Sequence, residues 1–131
     1  MNTDLKILIR ESNDALLDIK ISKFEQQLKI KYPQLDEVGM YMDAGKLFLS
    51  DLYINPKFRG QKFGTKVMTD IVQFADQNKL VMELIPDALE EKHYFNLIRF
   101  YKKFGFKAHP KVGLRAADPK IYSMYRNVNG V

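Results

Sequence analysis

The sequence predicts a single α/β domain spanning residues 1–131, on three observations. A chain of 131 residues with 46% hydrophobic and 28% charged residues is long enough for one apolar core and has ordinary globular composition. Two segments carry apolar residues three and four apart, the spacing of one helical face. The remaining apolar runs are short, alternating or β-branched, as strands are, with Gly, Pro, Asn and Asp between them. No internal repeat, low-complexity stretch or linker divides the chain.

Taken in order, Leu5, Ile7 and Ile9 alternate with Lys6 and Arg10, which predicts a first strand over 4–10. From 16 to 32 two periods compete. Leu17, Ile21, Phe24, Leu28 and Tyr32 fit a helical stripe, whereas Leu17, Ile19, Ile21 and then Leu28, Ile30, Tyr32 fit two alternating strands. A helix would leave Ile19 and Ile30 on its polar side, so a strand meander is the preferred reading, and Pro33 stops either element. Val38, Met40 and Met42 alternate up to the turn Asp43-Ala44-Gly45, and a β-branched and aromatic run follows over 46–54, which together predict a hairpin. Phe63, Val67, Ile71 and Phe74 predict an amphipathic helix over 61–77. A short strand over 80–85 comes next, then a second helix marked by Tyr94, Leu97, Ile98, Tyr101 and Phe104 and capped by Gly105. Strands over 106–112 and 121–125, joined by a loop over 113–119, close the domain.

Composition excludes several chemistries. With no cysteine there is no disulfide, thiolate nucleophile or cysteine zinc site, and a reducing, cytoplasmic setting is the simplest expectation. No apolar run approaches the roughly 20 residues that cross a bilayer, and the first ten residues carry charges at Asp4, Lys6 and Arg10, so no membrane partner or signal peptide is expected. The formal charge of +5 favours an anionic ligand without naming one. His93 and His109 lie far apart with no supporting ligands, so no metal is expected and surface or cap roles are assigned to both. A nucleic-acid surface is disfavoured because most aromatic residues fall on core positions.

The informative stretch is 49–67. A strand ending Leu52-Tyr53-Ile54 passes through Asn55-Pro56-Lys57-Phe58 into Arg59-Gly60-Gln61-Lys62-Phe63-Gly64-Thr65 and a helix. A glycine-bearing turn of this kind presents backbone N–H groups at a helix N-terminus, where the aligned peptide dipoles also favour negative charge. Gly60 and Gly64 would let an anion approach, and Arg59 and Lys62 add positive charge. On chemistry alone, phosphate binding competes with an ordinary turn carrying solvated basic residues. Neither a Walker A loop nor a three-glycine dinucleotide fingerprint is present, which disfavours kinase and dehydrogenase readings.

Residues 54–65 resemble the acetyl-coenzyme A (acetyl-CoA) signature of the GNAT N-acetyltransferase superfamily: Arg or Gln, two residues, Gly, one residue, then Gly or Ala. A second block, Ile98-Arg99-Phe100-Tyr101-Lys102-Lys103-Phe104-Gly105-Phe106, is similar to the family's later helix, which ends in Tyr, three residues, Gly-Phe. The resemblance covers about 46–106. Lys62 departs from it, standing where the pattern has its first Gly; it can still offer its N–H where the backbone needs no positive φ. Tyr94 replaces an Asn often found seven residues before the helix Tyr, and Asn96 is off register.

The resemblance implies a mixed, mainly antiparallel sheet flanked by helices, and transfer of an acetyl group from acetyl-CoA to a primary amine. The acceptor is a small molecule or a protein, and a homodimer is compatible with the family. The resemblance also implies that strands 46–54 and 80–85 splay apart around the thioester. Backbone groups near Leu52 and Ile54 would then pair the pantetheine, while Arg59, Gly60, Gln61, Lys62, Phe63, Gly64 and Thr65 would hold the diphosphate. Tyr101 matches the family's general acid for the leaving thiolate; without the motif it reads as a core-facing aromatic with its hydroxyl at the rim. Asp51 and Glu83, on the two framing strands, are candidate bases, though either also reads as a solvent-facing or ion-paired carboxylate. A rival to the enzyme is a catalytically silent acyl-CoA-binding or protein-interaction module on the same fold.

Overall fold

A 29-residue helix, α1 (Thr3–Lys31), opens the chain where alternation leads one to expect strands. The structure is a computed structural model that describes residues 3–86, 91–109 and 123–131. Both expectations for the N-terminal quarter are therefore corrected: 4–10 is helical, and 16–32 takes the helical period rather than the meander. Ile21 and Leu28 are buried with Phe24 beside them, whereas Ile19 and Ile30 are 53% and 79% exposed. The meander reading required those two isoleucines to be covered, but single exposed apolar side chains are common on folded surfaces. Pro33 does stop the helix, whose last amide bond runs from Tyr32 N to Leu28 O.

The rest follows the expected order. Strands β1 (Leu35–Asp43) and β2 (Lys46–Ile54) form the antiparallel hairpin around Ala44 and Gly45, both at positive φ. A 3-10 turn (Pro56–Phe58) leads to α2 (Phe63–Gln77), then β3 (Met82–Leu84), α3 (Glu91–Lys102), β4 (Lys107–Ala108) and β5 (Met124–Arg126). Gly105 ends the α3 region at φ +92, as expected, with its amide bonded to Lys102 O. The expected loop 113–119 and the outer parts of the two closing strands fall outside the described residues.

The sheet has the order β1-β2-β3-β5-β4, and of its four pairings only β2 with β3 is parallel, so the fold is a mixed, mainly antiparallel α/β sheet with three helices. Cross-strand rows separate its two faces. Leu47, Met82 and Arg126 align in one row and Leu49, Leu84, Met124 and Ala108 in the next; this face is buried. The alternate row, Tyr41, Phe48, Glu83, Tyr125 and Lys107, faces the other way and keeps polar groups accessible. Helix α1 joins the core through Phe24 stacked on Phe74 of α2 at 4.3 Å, and through Tyr32 and Lys31, which both donate to Asp70.

Arg126 is the one buried charge among the described residues. It donates twice to Asp76 near the end of α2, at 2.7 and 3.0 Å, and once to Phe104 O in the turn after α3, at 2.6 Å. A carboxylate in the last turn of a helix opposes the helix dipole, and the guanidinium offsets that cost. Gly105 and Gly130 flank the same guanidinium: a Cβ on Gly105 would meet Gly130 Cα at 3.0 Å, and one on Gly130 would meet an Arg126 nitrogen at 3.4 Å.

The Arg126 bond holds the Asp76 carboxyl below its ordinary value of 3.8; partial burial opposes this and the Asn129 amide reinforces it. A lowered folded-state value stabilises above the unfolded value and is lost as pH falls through the folded one. Asp76→Asn should therefore cost about 3 kcal/mol in urea unfolding at pH 7, because it strands a buried guanidinium. The gap between wild type and variant should narrow as pH drops below about 4, where the wild-type carboxylate itself becomes protonated.

Candidate functional site

The parallel seam between β2 and β3 is three residue pairs long: Leu47 with Met82, Phe48 with Glu83, Leu49 with Leu84. There β3 ends, while β2 runs on to Ile54 with β1 on one edge and no strand on the other among the described residues. The sheet is thus open between the C-terminal ends of two parallel strands. That opening faces the segment that follows β2 directly, the turn into α2.

The turn is built from local bonds. Asn55 caps the 3-10 segment through its side chain to Lys57 N, while its own amide bonds Gln34 O and its side-chain amide reaches Asp36. Arg59 folds back over the Tyr53 ring at 5.0 Å. Gly60 then takes φ +80, with open space where a Cβ would stand. Lys62, the N-cap of α2, takes φ +65, so the backbone does adopt the left-handed conformation that glycine supplies without strain, and a lysine bears it. The condition set by the sequence for Lys62, no positive φ, is not met.

Helix α2 begins with donors unspent. Its first bond here runs from Lys66 N to Lys62 O, which leaves the amides of Phe63, Gly64 and Thr65 ahead of it as the orphan donors of a helix N-terminus. The first turn contains no acidic residue, and Lys62 provides no side-chain cap. Gly64 has an ordinary φ; a Cβ there would touch the Phe100 ring of α3 at 3.6 Å. Its glycine therefore matters for how α3 approaches α2 more than for strain.

A β-bulge decides which way β2 presents its side chains. Gly39 pairs with Asp51 but Met40 pairs with Leu49, so Ser50 is an extra residue and the alternation changes phase. Leu47 and Leu49 before the bulge, and Leu52 and Ile54 after it, all pack on the core, while Asp51 moves to the accessible face with Phe48. Ser50 Oγ donates to Asp51 at 3.0 Å, and both side chains fill the space over Gly39, where a Cβ would meet each at 2.9 Å.

Glu83 lies on the same accessible face, one residue before the seam ends. Its Oε1 is 2.8 Å from Lys46 Nζ and 3.4 Å from His109 Nε2, and the His109 ring leans on Tyr125 at 4.9 Å. His109 thus keeps a place at the surface, one of the two roles expected of it, and does so beside Glu83. Neither its place nor that of Lys46 beside Glu83 was found from the sequence.

Tyr101 is buried in the aromatic group of Phe100, Phe104 and Phe106 that links α3 to the chain after it. Burial pushes its hydroxyl up to about 12, so it stays a protonated donor across the neutral range. Among the described residues no hydrogen bond or ion pair joins Tyr101, Asp51 and Glu83 to one another. The first belongs to the α2–α3 contact, since its neighbour Phe100 touches the Gly64 position; the other two belong to the accessible sheet face.

A family model for the acetyltransferase (GNAT) domain matches residues 32–108. Among solved structures the chain is similar to a Klebsiella pneumoniae protein assigned as an acyl-CoA N-acyltransferase, with a TM-score of 0.53, 20% identity, and coverage of 70% of this chain and 61% of that one. A GNAT-family acetyltransferase from Staphylococcus aureus gives 0.50, 19%, 70% and 58%, respectively. The PaiA N-acetyltransferase of Thermoplasma acidophilum, solved with coenzyme A, gives 0.50, 19%, 69% and 51%. The chain thus spans about half to six-tenths of the length of these three proteins, and the likeness establishes the fold. No curated protein matches.

Replacing Lys62 by Gly should relieve the left-handed strain and raise stability by up to about 1 kcal/mol, whereas Lys62→Val should lower it by at least as much, both read from Tm. Tyr101 gives a second expectation. A raised folded-state value leaves its contribution intact below the ordinary value of 10 and removes it as pH climbs toward about 12. Difference absorbance between wild type and Tyr101→Phe should show one tyrosine ionising near the top of that window.

Proposed function

The chain belongs to the GNAT family of acetyltransferases, and we propose that it transfers the acetyl group of acetyl-CoA to a primary amine by direct attack on the thioester. The observation that carries this reading is the coincidence of two features at one end of the sheet: the unspent amides before Lys66 and the parting of β2 from β3. One is a site for a diphosphate, the other a slot for an extended chain that needs backbone partners. The residues present fit both ends of acetyl-CoA, and the Thermoplasma fold relative solved with coenzyme A supports that choice.

In this reading the amides of Phe63, Gly64 and Thr65 hold the diphosphate, and the left-handed turns at Gly60 and Lys62 keep the backbone clear for it. Arg59, Gln61 and Lys62 line the same turn, the two cations adding positive charge. The free edge of β2 around Leu52 and Ile54 offers backbone groups to the pantetheine. When bound, acetyl-CoA supplies an activated acyl group. Glu83 accepts a proton from the acceptor ammonium; Asp51, on the same face, is the second candidate for that step. Tyr101, held protonated by burial, donates to the departing sulfur. No covalent enzyme intermediate is needed, in keeping with a chain that has no cysteine.

Thr65→Asp separates this reading from a helix end that binds nothing. An acidic residue in the first turn stabilises a free helix by about 0.3–1 kcal/mol but repels a bound diphosphate. Tm should rise slightly while calorimetry shows coenzyme A affinity falling roughly tenfold; equal affinity would remove the α2 terminus from the site. Tyr101→Phe should lower kcat about 10²-fold with coenzyme A affinity unchanged. Binding without thiol release across polyamines, amino acids and peptides would identify a silent acyl-CoA-binding module instead.

A further inference from the structure

We propose that His109 is a positioning residue of the transfer reaction, its imidazole lying against the Glu83 carboxylate at the mouth of the sheet opening and receiving from it, at Nε2, the proton of the acceptor amine. The inference rests on the acyl-transfer reading above and adds to it a residue 26 positions away in sequence.

The geometry points to it in three ways. First, among the described residues Glu83 Oε1 is anchored by Lys46 from β2 at 2.8 Å and approached by His109 Nε2 from beyond β4 at 3.4 Å. Its Oε2 takes no contact among the described residues, and its side chain is 26% exposed. One oxygen is anchored and the other is available to an ammonium. Second, His109 is itself fixed: its amide bonds Ser123 O at 3.1 Å, and its ring packs on Tyr125. Its side chain is 36% exposed, which opens the path on to water. Third, of the two groups on Glu83 only the imidazole has a ring nitrogen lone pair to take up a proton, because a lysine ammonium has no acceptor. Lys46, Lys107, Asp43 and, beyond the bulge, Asp51 are the other charged groups on this face, with Tyr41 and Tyr125 beside them.

The proton balance is as follows. The acceptor ammonium gives a proton to Glu83, which passes it to His109 Nε2 and regains its charge, and the imidazolium releases it to solvent. The freed nitrogen lone pair forms the N–C bond to the acyl carbon as the C–S bond breaks. The thiolate leaves with a proton from Tyr101, and the second proton of the attacking nitrogen, lost as the amide forms, makes good the one Tyr101 gave up.

The test compares wild type, His109→Gln and His109→Ala by thiol release across pH, with coenzyme A binding measured by calorimetry on each folded protein. Both variants should lose tenfold or more in kcat with KM within about twofold. The acid limb of the kcat/KM profile should change in His109→Gln, and added imidazole should restore part of the rate of His109→Ala. In a Glu83→Gln background the His109 substitution should cost little more, because the two act as one unit. Variants that bind coenzyme A and keep the wild-type rate overturn the inference alone. So does a slowed variant with an unchanged pH profile and no imidazole rescue. A wild type that neither binds coenzyme A nor releases thiol overturns the acyl-transfer reading and this inference with it.

Discussion

The architecture depends most on one guanidinium. Arg126 stands at the end of a core-facing sheet row, yet it is bonded to the end of α2 and to the turn after α3, and two glycines close around it. Burying a charge is unfavourable unless it is paired and hydrogen-bonded, and here the partners come from two elements other than the strand that carries Arg126. The bonds therefore set the distance between the C-terminal ends of two helices and the strand that passes beneath them. Because α2 is one helix of 15 residues, fixing one end orients the other, where the amides assigned to the diphosphate emerge.

Much of this was legible in sequence where a local period had no competitor. The helix through Phe63, Val67, Ile71 and Phe74 starts two residues later than its apolar pattern suggested, since Lys62 takes a left-handed turn before it. The hairpin and Gly105 were equally readable, because turn residues act over three or four positions. The long α1 was not. Its sequence supports two periods, and the choice between them was made by Phe74 and Asp70, residues some forty positions downstream that offer a helix something to pack on.

The site divides in the same way. The strand, turn and helix that would hold a diphosphate are contiguous and carry a family motif, so both their order and the residues assigned to them could be read in advance. The accessible sheet face could not, because Lys46, Glu83 and His109 meet only through strand pairing. One signal was available and unread: the apolar positions Leu47, Leu49, Leu52 and Ile54 skip a beat at Ser50. That change of phase is the bulge, and it determines that Asp51 and Phe48 share a face.

The short seam between β2 and β3 has an implication for how the molecule comes apart. On one side of it lie β1, β2 and α1; on the other, β3, β5 and β4. Among the described residues, three rungs of ladder are the sheet bonding between these halves, so side-chain packing across α1 and α2 must supply most of the cohesion. The amide proton of Leu47, which bonds Val81 O across the seam, thereby reports on a partial opening in which each half retains its own strands, and a ligand bridging the two halves would slow its exchange with solvent deuterium.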